Sequence, residues 1–564
     1  MKHDPKPWLF LEEYRGDVFE GEWPTLPELF TITVRRYPDR ACFTSYDPEY
    51  FSLTYAQALE KIHSAAAYLL EKGLKKGDCV VLTGKNSPEW AVAYLSILFA
   101  GGIVVPIDYQ LKNEEVAYLS GRSRARYLFV DEEKYDALDS KKLKLTDKVS
   151  LAPSKPGYIF DIEKARMPEH PMPVCDDLAA ILFTSGTTGT SKGVMLRHKN
   201  FVSDCLYAQG NMNIYSTDVF YAMVGLHHSY SMLAVFIEAI SVGAEIVFAK
   251  RIAIQQILKD MKQGKITMFL SVPLLFNKII KALLKGIREK GILVYGLIRA
   301  MLAFSGFVKK LTGVNIGKSL FKGILAKVSL DNNRICICGG GPLPASTFKR
   351  FNQMGIDFVQ GYGLTETSPI VALNPVFHYK EASVGKLIPG VTAKIIDPDE
   401  EGRGEIAVKG PNVMLGYFED EEATAEIMME DGYLKTGDVG YIDDENYLYL
   451  TGRKKSLIVT EGGKNVYPEE IEDRFQLYDE IEQILVKGYE LDRAMKTEGI
   501  EAYIYPAEEY SQGKEKDTVE ARLQEIVDEV NRTMLPYQRI ARLKVLDSPM
   551  EMTTTRKIKR FKVD

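Results

Sequence analysis

The sequence predicts an α/β fold: helix-covered, mainly parallel sheets over most of the chain to about residue 375, then a small β unit and a smaller α+β segment. Three observations carry this. Helix-like and strand-like runs alternate from about residue 54, runs shorten and turns crowd between 383 and 452, and strands and a helix return after about 456.

The elements follow in chain order. The N-terminal stretch MKHDPKPWLFLEEYRGD lacks the basic, apolar and small-residue blocks of a signal peptide. TYAQALEKIHSAAAYLLEKG has helical periodicity, GDCVVLTG is a short apolar strand, WAVAYLSILFAGG a helix and RYLFVDE a strand. The apolar stretch Trp90 to Pro106 holds Gly101 and Gly102 in mid-run, so it reads as a buried helix, a turn and a strand, and no transmembrane helix is expected. A second series follows in NFVSDCLYAQGNM, GAEIVFAK, MKQGKITMFLSVP and FKRFNQMGIDFVQGYG. VTAKIIDPDEEGRGEIAVKG and GYIDDENYLYLTG, with short runs and crowded turns, suggest a small β unit. QILVKGYE and EAYIYP are strands, VEARLQEIVDEVNRTM is a helix, and Glu508 to Asp517 is expected as an exposed loop.

Composition is that of an ordinary globular protein: 46% of the 564 residues are hydrophobic and 26% charged. The length implies several domains and excludes collagen, coiled-coil and wholly disordered chains. With 71 basic and 77 acidic residues the net charge is −6, which argues against a nucleic-acid partner. Of the six cysteines, only Cys336 and Cys338 are close, one residue too tight for a CxxC pair, so reduced thiols in a cytoplasmic protein are expected.

Chemistry concentrates in three stretches. TSGTTGTSKG, from Thr184 to Gly193, follows the strand-like AAILF and precedes VMLRH. Its small and hydroxylated residues leave N–H and O–H groups free to wrap phosphate oxygens, and Lys192 adds charge. The spacing is not a P-loop, because no glycine stands immediately before Lys192. GYGLTET, from Gly361 to Thr367, sets Tyr362 between two glycines, able to lie beside a planar base, with Thr365 and Glu366 in reach of a phosphate and a hard cation. Thr436-Gly437-Asp438 precedes a hairpin and Arg453 follows it, and a carboxylate of this kind can take two vicinal hydroxyls of a ribose.

Together with GGGPLP, GEIAVKGPNVMLGY, YLKTGDVGYID, GRKKSLIVTEGGKNVYPEEIE and TTTRKIKR, these stretches occur in the order found in the adenylate-forming superfamily, which the chain resembles from about residue 30 to 562. The resemblance is to acyl-CoA synthetases, luciferases and peptide-synthetase adenylation domains. It implies a large N-terminal domain, 1–454, of two helix-covered mainly parallel sheets with a small β-barrel at about 376–452, and a mobile α+β C-terminal domain, 455–564.

The resemblance also implies roles. Thr184, Ser185, Gly186, Thr187, Thr188, Gly189 and Lys192 are similar to the loop that holds the ATP β and γ phosphates, and Thr187 joins Glu366 at Mg²⁺. Gly339, Gly340 and Gly341 match the strand end beside the adenine, Tyr362, between Gly361 and Gly363, matches the residue stacked on it, and Thr365 matches the α-phosphate contact. Asp438 and Arg453 match the ribose ligands, with Tyr441 also at the nucleotide, and Lys557 matches the mobile catalytic lysine. Lys455 matches the hinge, and Gly462 and Gly463 the loop facing the thiol of CoA. In GLHHSYSM, His228 matches a residue near the reacting carboxylate, although Gly225 stands where the family usually has proline. Arg556 before the lysine, Ser456 after the hinge and Ser191 in the phosphate loop also depart from common choices, and none removes a reacting group.

The activity implied is AMP-forming fatty-acid:CoA ligation of a medium or long chain, with ATP and Mg²⁺ and with CoA as cosubstrate. The alternatives are an acyl-carrier-protein acceptor, an aryl acid, or a non-catalytic lipid- or nucleotide-binding homologue. Residues 281–330 form an insert, long for the superfamily and similar to its long-chain branch, with ten basic side chains and one acid, Glu289. That is +9 in 50 residues, leaving −15 for the remainder. With the apolar run GILVYGLIRAMLAFSGF, it predicts peripheral contact with an anionic membrane surface at the cytoplasmic face.

Overall fold

The structure is a computed structural model that describes residues 6–184, 191–251, 253–460, 464–492, 497–553 and 557–563. It is α/β throughout the body. One seven-stranded sheet is ordered Gly416–Tyr417, Lys192–Arg197, Leu178–Thr184, Ile103–Pro106, Cys79–Thr83, Tyr127–Val130 and Asp147–Ser150, parallel from Leu178–Thr184 onward, with Lys192–Arg197 antiparallel to both of its neighbours. A second sheet runs through Ala41–Ser45, Glu245–Phe248, Val219–Ala222, Met268–Ser271, Ile335–Cys338 and Asp357–Gly363, all parallel, with Phe51–Thr54 antiparallel on its edge. Strand Asp357–Gly363 then pairs antiparallel with Ile370–Leu373, which joins the small β unit to this sheet. That unit continues through Gly385–Leu387, Tyr447–Arg453, Leu434–Ile442, Gly404–Lys409 and Thr392–Ile396.

Between the two sheets lies the main core. Helix Pro88–Phe99 is buried along its whole length, with Trp90 and Tyr94 stacked 5.4 Å apart and both against Phe236. A helix apolar on every side has to be interior. The expected turn follows at Gly101, whose φ of +79° favours glycine, and strand Ile103–Pro106 follows it. Helix Tyr55–Glu71 starts where the sequence says, because Thr54 and Gln57 close a capping box.

The C-terminal part is a smaller α+β domain. Strands Ile481–Asp492, Thr497–Pro506 and Arg542–Val545 form its sheet, and helix Lys516–Asn531 covers it with Leu523, Ile526 and Val527. One sequence expectation needs correction. Residues 508–517 are not simply a loop: Glu508–Ser511 is a helical turn and Lys516 already begins the next helix, because the Glu508–Asp517 charges sit on exposed helix faces. Among the described residues one helix, Ile292–Thr312, which covers the apolar run of the insert, is long and apolar enough to cross a membrane by length and composition.

Candidate active site

The site gathers at the C-terminal ends of the parallel strands, where an α/β sheet leaves a crevice. Strand Ile335–Cys338 ends at Gly339, where a Cβ would stand 2.9 Å from the Tyr230 ring; the glycine lets that ring lie beneath the strand end. Tyr230 is anchored there by its hydroxyl, which donates to the Ser271 and Ile337 carbonyls at 3.2 Å. On the neighbouring strand, a Cβ at Gly363 would lie 1.6 Å from the Pro369 carbonyl oxygen, so only glycine permits this turn.

Tyr362 reaches from that strand to the hairpin. Its hydroxyl donates to Asp438 Oδ2 at 2.8 Å, and Arg453 Nε meets Asp438 Oδ1 at 3.1 Å. Asp438 and Arg453 are directly paired in the antiparallel ladder, so register alone sets the cation beside the carboxylate. Burial, followed by the Asp438 charge, pushes the Tyr362 hydroxyl well above its ordinary value, so it remains a donor.

Thr365 and Glu366 occupy the 3-10 turn Thr365–Thr367 just after the strand. Ser229 Oγ lies 3.2 Å from Thr365 Oγ1. Tyr417 donates to Glu366 Oε1 at 2.8 Å, and Lys192 Nζ sits 4.9 Å from the Tyr417 ring centroid. Thr184 and Lys192 are paired in the strands that flank the phosphate-loop sequence. Tyr417 therefore joins the base of that loop to Glu366. A carboxylate this close to the loop's cation is a hard oxygen donor suited to Mg²⁺ beside phosphate, so the residues present fit that ion.

Lys557 arrives from the C-terminal domain on a narrow hairpin. Met552 and Ile558 form a bridge, Thr553 N donates to the Lys557 carbonyl at 2.7 Å, and Lys557 N donates to Thr553 Oγ1 at 3.1 Å. Although much of the residue is exposed at the open cleft, the surrounding protein and then the Arg453 charge pull its ammonium down to about 8, against an opposing pull from Asp438. The lysine of the last segment and the ribose-type ligands of the body thus share one electrostatic neighbourhood.

A third group faces the same cleft. His227 Nε2 lies 3.0 Å from His228 Nε2 and 3.5 Å from Asp108 Oδ1. Burial and then the His227 charge drive His228 down to about 3, which keeps its imidazole neutral. Burial raises Asp108, but the His227 interaction and the Gln110 N–H outweigh that and hold it at about 2. Its Oδ2 is buried without a hydrogen-bond partner. The three side chains bring their donor atoms within 4.8 Å of one another, a set chemically able to take a divalent transition metal. Gly225 explains itself here: a Cβ would meet the His227 ring at 2.3 Å, so the residue standing in place of the usual proline leaves room for the imidazole.

Not every expected residue joins the cluster. Tyr441 stacks on Tyr449 with centroids 4.8 Å apart rather than on the Tyr362–Asp438 pair. Lys455 lies in the turn Lys454–Ser456 directly after the hairpin. Gly340 has φ +81°, and Gly341 would set a Cβ 3.6 Å from Pro273. Ser185, Gly186, Thr187, Thr188, Gly189, Gly462 and Gly463, with Arg556, lie outside the described residues. Sequence reasoning missed Tyr417, Ser229 and Asp108. Tyr417 closes the quoted stretch GEIAVKGPNVMLGY, while Asp108 follows the strand end in VPID and had no spacing relation to the histidines.

With this geometry in view, the AMP-binding enzyme family matches residues 30–418. A long-chain-fatty-acid–CoA ligase of Bacillus subtilis (strain 168) is 28% identical over 86% of this chain and 86% of its own length. The chloroplastic long-chain-fatty-acid–[acyl-carrier-protein] ligase AEE15 of Arabidopsis thaliana is 26% identical over 98% of this chain and 87% of its own. Among solved structures, ATP-bound MatB from Rhodopseudomonas palustris superposes with a TM-score of 0.74 at 25% identity, covering 95% of this chain and 98% of that one. The anthranilate CoA ligase AuaEII with anthranoyl-AMP superposes at 0.76, 21% identical, over 96% of each chain, a likeness of fold.

Proposed function

The chain belongs to the AMP-binding enzyme family and is an adenylate-forming ligase, and from that premise we propose that its acid is a medium- or long-chain fatty acid and its acceptor the thiol of CoA. The observation that carries the adenylate chemistry is the Tyr362–Asp438–Arg453 cluster, with the Lys557 ammonium of the last segment in its electrostatic neighbourhood. The names of the relatives above support the choice of acid and acceptor.

In this reading Asp438, backed by Arg453 and Tyr362, holds the ribose hydroxyls, while the strand end at Gly339, Gly340 and Gly341 lines the adenine. A fatty-acid carboxylate oxygen attacks the α-phosphorus of ATP, forming the acyl–phosphate bond as the bond to pyrophosphate breaks. Negative charge builds at that phosphate, so catalysis is mainly positioning and cations. Lys557 supplies one cation and the Thr365 hydroxyl a hydrogen bond. Glu366 is the residue that would hold Mg²⁺, which when bound neutralises phosphate charge. His228, neutral, hydrogen-bonds the carboxylate, and Asp108 acts through His227 to orient it.

The CoA thiolate then displaces AMP from the acyl-adenylate. Lys557 occupies the side from which the thiol must come, so the C-terminal domain turns about Lys455 between the two steps and brings Gly462 and Gly463 toward the cleft. AMP release from Mg-ATP should be measured with fatty acids of graded length and one aryl acid, each alone, with CoA, or with an acyl-carrier protein. A CoA-dependent maximum at one aliphatic length is the expected result. Preference for the aryl acid or the carrier protein would overturn the acid or the acceptor while leaving the adenylate chemistry in place.

A further inference from the structure

Nine of the twenty-two exposed large apolar side chains among the described residues fall between 292 and 320, on or just beyond one helix. Along Ile292–Thr312, Leu293, Leu297, Phe304, Phe307 and Leu311 stand at spacings of four, seven, three and four residues. That is the stripe one face of a helix presents. Leu293 is 86% exposed and Phe307 64%. A patch of this size on a soluble surface marks a place where something docks.

The opposite face is fastened to the body. Leu302 is 2% exposed and Ser305 is fully buried. Lys309 is also buried, its ammonium 2.6 Å from Asp357 Oδ1 and donating to Asn352 Oδ1 at 2.8 Å. Just past the helix, a Cβ at Gly317 would lie 2.5 Å from the Gln353 carbonyl, so the chain is pressed against helix Ala345–Gln353. A helix of 21 residues is long enough, at about 1.5 Å per residue, to cross a bilayer, but this one is held along its side. It can offer only its outer face.

Charge says what that face meets. Three of the ten cations counted in the sequence are spent inside the protein: Lys309 as above, Lys281 on the Tyr478 carbonyl and Lys318 on the Asn333 carbonyl. Lys285, Arg288 and Lys290 remain exposed at one end of the stripe, Arg299 midway, and Lys310 and Lys322 at the other. The Arg288 and Arg299 guanidinia rest 5.2 and 5.8 Å from the Tyr295 ring, which keeps both beside the apolar face. Long cationic stems lying along apolar surface with their charges free are the pattern for an interface of hydrocarbon and anionic headgroups. A second copy of the same face would set cation against cation.

We propose that the outer face of Ile292–Thr312 seats this protein on an anionic lipid surface, with Leu293, Leu297, Phe304 and Phe307 entering the acyl boundary and the flanking lysines and arginines meeting the headgroups. The helix lies in the plane of the surface and does not cross it. This docking is independent of which acid the enzyme activates, because its readout is partition and not turnover.

The test is flotation of the full chain with vesicles of phosphatidylcholine alone or with about one-third phosphatidylglycerol, at low and high salt. The wild type should float with the anionic vesicles at least tenfold better than with neutral ones, and high salt should remove most of the difference. F304S/F307S should lose at least tenfold of the binding, and R288E/R299E/K310E a comparable amount. ATP binding and circular dichroism should be unchanged in both, since none of these side chains is in the cleft or core. Equal flotation on neutral and anionic vesicles, or wild-type flotation by either variant, overturns the proposal. So does a salt-stable dimer in light scattering that F304S/F307S dissociates, which would make the face a contact between copies.

Discussion

Two structures face each other across one cleft and are held in opposite ways. The wall carrying Tyr362, Asp438 and Arg453 is built from strands of a continuous sheet, with a buried tyrosine hydrogen-bonded to a carboxylate and a ladder partner beside it. The hairpin carrying Lys557 is a short one, bridged from Met552 to Ile558 and hydrogen-bonded between Thr553 and Lys557, with Ile558 and Val563 packed on a small apolar cluster of the C-terminal domain and with ion pairs of Glu551 to Lys562 at 2.5 Å and Arg560 to Glu472 at 2.6 Å. Its domain also touches the body through polar contacts: Asn277 to Gln476 and Lys278 to Glu482, both 2.9 Å, and Lys281 to the Tyr478 carbonyl at 2.8 Å. Of these only Lys278–Glu482 is exposed, and such a pair contributes about 0–1 kcal/mol, whereas the buried hydrogen-bonded groups of the wall are costly to disturb. Recognition therefore stands on the rigid side and the reacting cation on the side that can leave, a division suited to two steps that need different partners in one place.

The sharpest way to break this comparison is Lys557→Ala. Adenylate formation should fall by about 10³-fold, the cost of one charge-stabilising group, while thioester formation from supplied acyl-adenylate changes less than about tenfold. Equal loss in the two half-reactions would remove the lysine from the first step. On the wall, Asp438→Ala strips Tyr362 and Arg453 of their shared partner, and the KM for ATP should rise by about 10- to 100-fold. An unchanged KM would take Asp438 away from the ribose.

The pH dependence separates the two sides more finely. The Lys557 ammonium, held at about 8, is charged below that pH and neutral above it. kcat/KM for adenylation should thus be level below pH 8 and fall about tenfold per unit above it, since that ratio reports free-enzyme ionisations. His228 at about 3 and Asp108 at about 2 do not titrate in this window. Lys557→Arg, a cation at any working pH, should extend the plateau, and a fall near pH 8 in that variant would assign the ionisation elsewhere.

Smaller effects come from the histidine pair. Asp108→Asn, or Gly225→Ala acting through the displaced His227 ring, should raise the KM for the acid by about three- to tenfold and leave the KM for ATP alone. Parallel rises in both constants would instead indicate general damage. Smallest of all, Lys278→Glu at the seam should change either half-reaction by no more than about threefold, because an exposed pair contributes little. A large selective loss of thioester formation would show the seam to be a specific stop rather than a loose contact.

Most of the fold was legible because local periodicity sets it. The alternation of helix and strand up to the strand Asp357–Gly363, the fully buried helix Pro88–Phe99 and the two hairpins at 392–409 and 434–453 all follow from patterns within a dozen residues. Helix Ile292–Thr312 was legible as the apolar run GILVYGLIRAMLAFSGF, but only the helix shows which of its side chains, Arg299 among them, lie on the outer side. The site was legible where chemistry is contiguous, as in GYGLTET. It was not legible at Tyr441, whose ring goes to Tyr449, nor at Asp108, which reaches His227 across 119 positions of chain.

By itself the sequence determined the class of fold, the ordered motifs and the residue types able to hold a nucleotide and a cation, because these depend on local pattern and on side-chain chemistry. Tertiary structure decided the rest. It paired Asp438 with Arg453 and turned Tyr362 onto both, tied Glu366 to Tyr417, fitted His227 into the space over Gly225, and brought Lys557 within electrostatic reach of the wall. It also sorted the cations of the insert into buried and exposed, pairing Lys309 with Asp357 and leaving Lys310 in solvent. Such choices rest on through-space distance and on which groups lose water, and neither is encoded by neighbours along the chain.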